Sequence, residues 1–135
     1  MTGGLVLVDT SAWVEFDRAT GSAVDRRLTA LIAGTDSVAV TEPVVMEVLA
    51  GARTDRRESD LRRLLDRFHL LRFDPVAHFD GAVRIYRTSR QAGVTPRGMV
   101  DCMIAAVAVA SDVPVLAMDR DLAALAEVVD LRLDS

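Results

Sequence analysis

Apolar and polar positions alternate between two periods along the chain. Leu5-Val6-Leu7-Val8 is a short β-branched run that stops at Asp9-Thr10-Ser11, residues suited to a helix N-cap, and it predicts strand, turn, helix. Val24, Leu28, Leu31 and Ile32 recur at helical spacing before Gly34, and Val38-Ala39-Val40 follows as a second strand. Glu42-Pro43 opens a helix that carries Glu47 and ends near Gly51. From Leu61, the apolar positions 64, 65, 68 and 71 mark one face of a further helix, and Leu70 to Phe73 predict a third strand. Val76, Phe79, Val83 and Tyr86 keep the helical period up to Gly93, and Pro96 precedes a helix from about Met99 to Ala110. Val113 to Met118 reads as a strand, Leu122, Leu125 and Val128 as a short helix, and Leu131-Arg132-Leu133 as an edge strand. The expected fold is α/β, a mainly parallel sheet of about four or five strands with helices on both faces. Residues 1–135 suit one domain, and neither repeat nor linker interrupts them.

Composition narrows what such a domain can do. No apolar run reaches the roughly 18 residues of a membrane span, and Met1-Thr2-Gly3-Gly4 lacks the basic start of a secretory signal, so the expectation is a soluble, cytoplasmic protein. The single cysteine, Cys102, excludes an internal disulfide and a cysteine-built zinc site within one chain. A net charge of -4 argues against holding nucleic acid by bulk electrostatics, although all 16 basic residues are arginine. Any nucleic-acid chemistry therefore rests on local features.

The acidic residues supply those features. In open parallel sheets, ligands bind beyond the carboxyl ends of the strands, and Asp9 and Asp119 each fall just after a predicted strand. Glu47 lies on the helix after the second strand, and Asp101 lies in the first turn or so of a helix among Met99, Val100, Cys102, Met103 and Ile104. An ionised carboxylate in such company is costly unless compensated, and converging carboxylates raise one another's pKa. A divalent cation relieves both costs, and hard oxygen ligands favour magnesium or manganese over zinc. Taken singly, each acid also has an ordinary explanation: Asp9 as a helix cap, Glu47 as a solvated helix residue, Asp101 as a charge at a helix N-terminus and Asp119 as a turn former.

The joint pattern is more specific. Val8-Asp9-Thr10-Ser11-Ala12, Glu47 within residues 43–51, Asp101 within Arg97 to Ala106, and Asp119 with Asp121 in Val115 to Leu122 resemble, in order and approximate spacing, the four motifs of the PIN-domain family. The likeness is closest to the bacterial VapC toxins, ribonucleases that cut selected RNAs and are neutralised by a cognate VapB-type antitoxin. That resemblance implies a catalytic set of Asp9, Glu47, Asp101 and Asp119 with the hydroxyls of Thr10 and Ser11, Ser11 being preferred as the one that orients a metal-bound water. It implies a metal site of Asp9, Glu47, Asp101, Asp119 and Asp121 for Mg2+, with Mn2+ as a substitute. Hydrolysis of the RNA phosphodiester by a metal-activated water then leaves a 5′-phosphate and a 3′-hydroxyl. The resemblance further implies a homodimer, and an antitoxin segment that packs on the domain and places a basic side chain in the acidic pocket. Leu122, where an aromatic residue is common, and Ala117-Met118, where the approach is often more polar, depart from the pattern and leave the carboxylates intact.

Among the arginines, Arg84, Arg87 and Arg90 are the better RNA contacts, and Arg97 stands where it can steady a carboxylate or the scissile phosphate. Arg53, Arg56, Arg57, Arg62, Arg63 and Arg67 interleave with acids and read as a salt-bridged helix face. His69 and His78 fall in the central helical region, away from every acidic motif, and form neither a metal cluster nor a triad; Trp13 suits the core or a dimer interface, and Cys102 a packed thiol. A receiver domain would need a lysine and a haloacid-dehalogenase-type phosphotransferase an aspartate at position 11, and the chain has neither. The alternative that remains is a catalytically silent PIN fold that binds RNA or protein.

Overall fold

A computed structural model describes residues 4–34 and 37–134. The expectation drawn from Met1-Thr2-Gly3 lies outside them. The elements run β1 (Val6–Val8), α1 (Thr10–Asp17), α2 (Ala23–Ala33), β2 (Val38–Val40), α3 (Glu42–Ala50), α4 (Asp55–Leu65), β3 (His69–Leu70), α5 (Pro75–Gln91), α6 (Met99–Ser111), β4 (Val115–Leu116) and α7 (Arg120–Ala126). All ladders are parallel, in the order β3-β2-β1-β4. Every residue of β1 and β2 is buried, and because successive side chains on a strand point to opposite faces, both faces of the sheet are covered by helices. No described helix is long and apolar enough to cross a membrane.

Order along the sheet matters more than strand count. The chain steps from β1 to β2 to β3 on one side and then returns to place β4 on the other side of β1. The connections diverge between β1 and β4, and a crevice forms outside the carboxyl ends of those strands. Asp9 N–H donates to Leu116 O at 2.9 Å, closing the two strand ends together.

Helix α6 is the apolar axis of the molecule. Cys102, Ile104, Ala105, Ala106, Val107 and Ala108 are all buried, and each large side chain among them stabilises by about 1.5–3 kcal/mol relative to exposure. The helix packs along α5, where a Cβ on Gly81 would stand 3.2 Å from Ala106 Cβ, so glycine permits the close approach.

Several boundaries differ from the sequence reading. Helix α4 ends at Leu65, capped by Asp66, so Phe68 and Leu71 are not on it. Their apolar spacing continues past the helix because the following turn and strand pack on the same core. Pairing in β3 covers His69–Leu70 rather than Leu70 to Phe73, with Leu71 N–H adding one bond to Val40 O at 2.8 Å. His69 therefore sits on a strand. Pairing in β4 is confined to Val115–Leu116, because Met118 N–H turns away to the Ser11 hydroxyl, and the C-terminal edge reduces to one parallel bridge, Val115 to Leu133. Helix α7 stops at Ala126, short of Val128.

Candidate active site

The acidic residues reach the crevice from four parts of the fold. Asp9 ends β1 and caps α1, its Oδ2 accepting from Ser11 N–H at 3.0 Å and from the Ser11 hydroxyl at 2.6 Å. Asp119 follows β4 and caps α7, accepting from Asp121 N–H at 2.7 Å. Asp101 lies in the first turn of α6, and Glu47 in the middle of α3. The ordinary roles of Asp9 and Asp119 as helix caps are thus real. Caps do not explain why the same residues converge.

Convergence is measurable. Carboxylate oxygens of Asp101, Asp119 and Asp121 come within 4.8 Å of one another. Burial, followed by the negative charges of Asp119, Asp9, Asp121 and Glu47, pushes the Asp101 carboxyl up to about 7. Burial raises Asp9 as well, partly offset by the Ser11 bonds, with Asp119 and Glu47 adding repulsion. Asp121 moves the other way: the Arg97 guanidinium donates to its Oδ2 at 2.9 Å and holds it below the usual carboxylate range. Asp9, Glu47, Asp101, Asp119 and Asp121 therefore share one electrostatic neighbourhood, with Arg97 at its rim.

Both hydroxyls of the first motif are spent on carboxylates. Thr10 donates to Glu47 Oε1 at 2.6 Å, linking α1 to α3. Ser11 donates to Asp9 and accepts from Met118 N–H at 2.8 Å, linking α1 to the segment after β4. In this arrangement neither hydroxyl proton is left to direct a water.

The site offers the donors a hard cation needs. Asp9 Oδ1 is fully buried with no hydrogen-bond partner, which is costly for a carboxylate unless a positive charge meets it. The oxygens of Asp101, Asp119 and Asp121 make an all-oxygen group of the type preferred by magnesium and manganese, and the charges of Asp9 and Glu47 act on it without joining that close group. The neighbouring Cys102 thiol is buried and pushed up to about 11, so it is neither a ready ligand nor a nucleophile.

Sequence reasoning passed over Thr41. It stands just after β2 as Asp9 stands just after β1, it is fully buried, and its Oγ1 has no partner. Although it is the N-cap residue of α3, its side chain makes no capping bond. Its place after an apolar strand, the same place that singles out Asp9, was the available signal.

The arginines separate into two groups. Arg97 lines the acidic cleft with Ser11, Met118, Asp119, Arg120 and Asp121. Arg84, Arg87 and Arg90 do not line that cleft: Arg84 pairs with Asp80 at 3.6 Å, Arg90 lies over the Tyr86 ring, and Arg87 and Arg90 flank a shallow depression on α5. On α4, Arg56, Arg62 and Arg63 pair with Asp60, Glu58 and Asp60, while Arg57 reaches Asp17 on α1. Trp13 belongs to the core, packed against Phe16 and Phe68. His78 accepts from Asp74 N–H through Nδ1 at 2.7 Å, a local turn contact.

Comparison with known proteins agrees with this fold. The profile of the PIN domain family matches residues 6–128. The chain is 37% identical over 129 residues to a VapC ribonuclease of Mycobacterium bovis, covering 95% of this chain and 96% of that one. It is equally similar to ribonuclease VapC11 of Mycobacterium tuberculosis, at 37% identity with the same coverage. Among solved structures, VapBC2 from Rickettsia felis bound to a DNA fragment from its promoter superposes with a TM-score of 0.76 at 16% identity, over 96% of this chain and 97% of that one. At that identity the likeness concerns the fold.

Proposed function

The chain belongs to the PIN-domain family, within its VapC ribonucleases, and from that premise we propose that residues 1–135 act as one catalytic unit, a Mg2+-dependent endoribonuclease toxin. The observation that carries the reading is the convergence of the Asp101, Asp119 and Asp121 carboxylates within 4.8 Å of one another, in the electrostatic reach of Asp9, whose Oδ1 is buried without a protein partner. Asp9, Asp101 and Asp119 would hold the cation, with Glu47 and Asp121 completing the set. When bound, a divalent ion would neutralise phosphate charge and make hydroxide available at neutral pH for in-line attack on phosphorus.

The protein's own groups do the positioning. Ser11 holds Asp9 by its Oδ2 and leaves Oδ1 without a protein partner, and Thr10 on α1 holds Glu47 on α3. Both are positioning residues. Arg97, with a side chain 84% exposed at the mouth of the cleft, would meet a phosphate oxygen. Arg87 and Arg90 would contact RNA away from the scissile bond. No histidine is needed, since the attacking water does not depend on an imidazole base, and cleavage would leave a 3′-hydroxyl. A cellular RNA substrate agrees with a cytoplasmic address.

The same premise supports two protein partners. An antitoxin of VapB type would use the groove between α1, α3 and α4, lined by Trp13, Val14, Val48, Leu61 and Leu64 and sharing Glu47 with the acidic set. A second copy would cover the exposed apolar stripe of Val76, Phe79 and Val83 on α5.

Purified, antitoxin-free protein incubated with total RNA in Mg2+ or Mn2+ tests the reading, with EDTA and Asp101→Asn as controls. Cuts ending in 3′-hydroxyls that vanish in both controls are expected. Cleavage that survives EDTA and the substitution would refute the site. RNA binding by folded protein without any cleavage would favour the silent binding module.

A further inference from the structure

Of the two described arginines that line the acidic cleft, Arg97 and Arg120, Arg97 is the one hydrogen-bonded to a carboxylate of the cluster, and it spends its contact on a single one. Its Nε lies 2.9 Å from Asp121 Oδ2, and its backbone N–H points to the same oxygen at 3.4 Å. Asp121 is in turn one of three carboxylates whose oxygens lie within 4.8 Å of one another. The Arg97 side chain also feels the charges of Asp119 and Asp101. The pairing is not a local helix contact: Arg97 sits between α5 and α6, and Asp121 in the first turn of α7, 24 residues further on. One carboxylate oxygen engaged by a guanidinium is less available to a metal, because both cations draw on the same charge.

We propose that Arg97 is an internal competitor of the divalent cation, holding Asp121 in the metal-free protein and releasing it when metal binds. The inference rests on the metal reading of the site and deepens it. Without a metal, Arg97 offsets part of the repulsion among Asp101, Asp119 and Asp121. With a metal, that role passes to the ion, and the guanidinium is freed at the mouth of the cleft, where a phosphate enters. Arg97 would thus lower metal affinity in the absence of RNA while serving the RNA complex.

Mn2+ binding to the antitoxin-free, RNA-free protein tests this without any assay of activity, by following the free-ion signal in electron paramagnetic resonance. Wild type, Arg97→Gln, Asp121→Asn and the double variant are compared. Arg97→Gln is expected to bind Mn2+ about two- to fivefold more tightly than wild type, the range of an exposed ion pair, and the advantage should shrink as salt is raised. In the Asp121→Asn background, the Arg97 substitution should add little. An Arg97→Gln protein that binds Mn2+ equally or more weakly than wild type would overturn the proposal while leaving the metal site standing. Failure of all four proteins to bind Mn2+ would remove the metal reading, and this inference with it.

Discussion

Helix α4 and the crevice beside β1 both concentrate charge, and they treat it in opposite ways. On α4, acids and arginines alternate at helical spacing, so Glu58 meets Arg62 at 2.6 Å and Asp60 meets Arg63 at 2.5 Å within the helix itself. In the crevice, five carboxylates arrive from four helices and strand ends with Arg97 as the nearby counter-ion. Pairing satisfies most of the charges on α4, Asp55 in its first turn being outside the ion pairs, and no cluster of like charge is left there. The crevice stores an electrostatic deficit that a cation can relieve. Charge density alone does not mark a site; charge left uncompensated by neighbours does.

The strongest challenge to this contrast goes through the scaffold that holds Asp101. Ile104→Ala on α6 removes a fully buried side chain and is expected to cost about 2–5 kcal/mol in urea denaturation, because the cavity it leaves lies among buried neighbours on both sides along the helix. A loss under about 1 kcal/mol would show that the apolar axis does not hold the acid in place.

Severing one positioning bond comes next. Thr10→Val keeps the shape but removes the donor to Glu47, and RNA cleavage is expected to fall by about 10- to 100-fold with an unchanged circular dichroism spectrum. Full activity in that variant would make Glu47 a bystander.

Burial of Asp101, followed by repulsion from its acidic neighbours, has a sign that can be read in stability. Asp101 ionises at about 7 in the folded protein against 3.8 for the free side chain, so its charge opposes folding. The penalty is complete above pH 7 and fades as pH falls toward 4. In EDTA, Asp101→Asn should therefore stabilise the protein at pH 8, by roughly 1–2 kcal/mol once solvent screening is allowed for, and should do so much less at pH 5. An equal effect at both pH values would dissociate it from ionisation.

The smallest effect belongs to α4. Glu58→Gln breaks the pair with Arg62 and should change stability by less than about 1 kcal/mol, with cleavage unaltered. A large loss of activity would erase the distinction between the two regions.

Much of this was legible in the residues themselves. The acids that end strands, the alternation of strand and helix, the proline that opens α3 and the apolar run of α6 follow from interactions between residues a few positions apart, which sequence spacing records. The salt-bridged character of α4 was legible for the same reason. The strand order β3-β2-β1-β4 was not, since parallel pairing joins residues far apart and short strands carry no mark of their neighbours. That order decided that Asp9 and Asp119 would meet. Tertiary structure also decided that Thr10 serves Glu47 while Ser11 serves Asp9, that Arg97 closes on Asp121 and not on Asp101, and that the Thr41 hydroxyl is buried without a partner. Side-chain direction and burial settle such choices, and both arise only when the whole chain has packed.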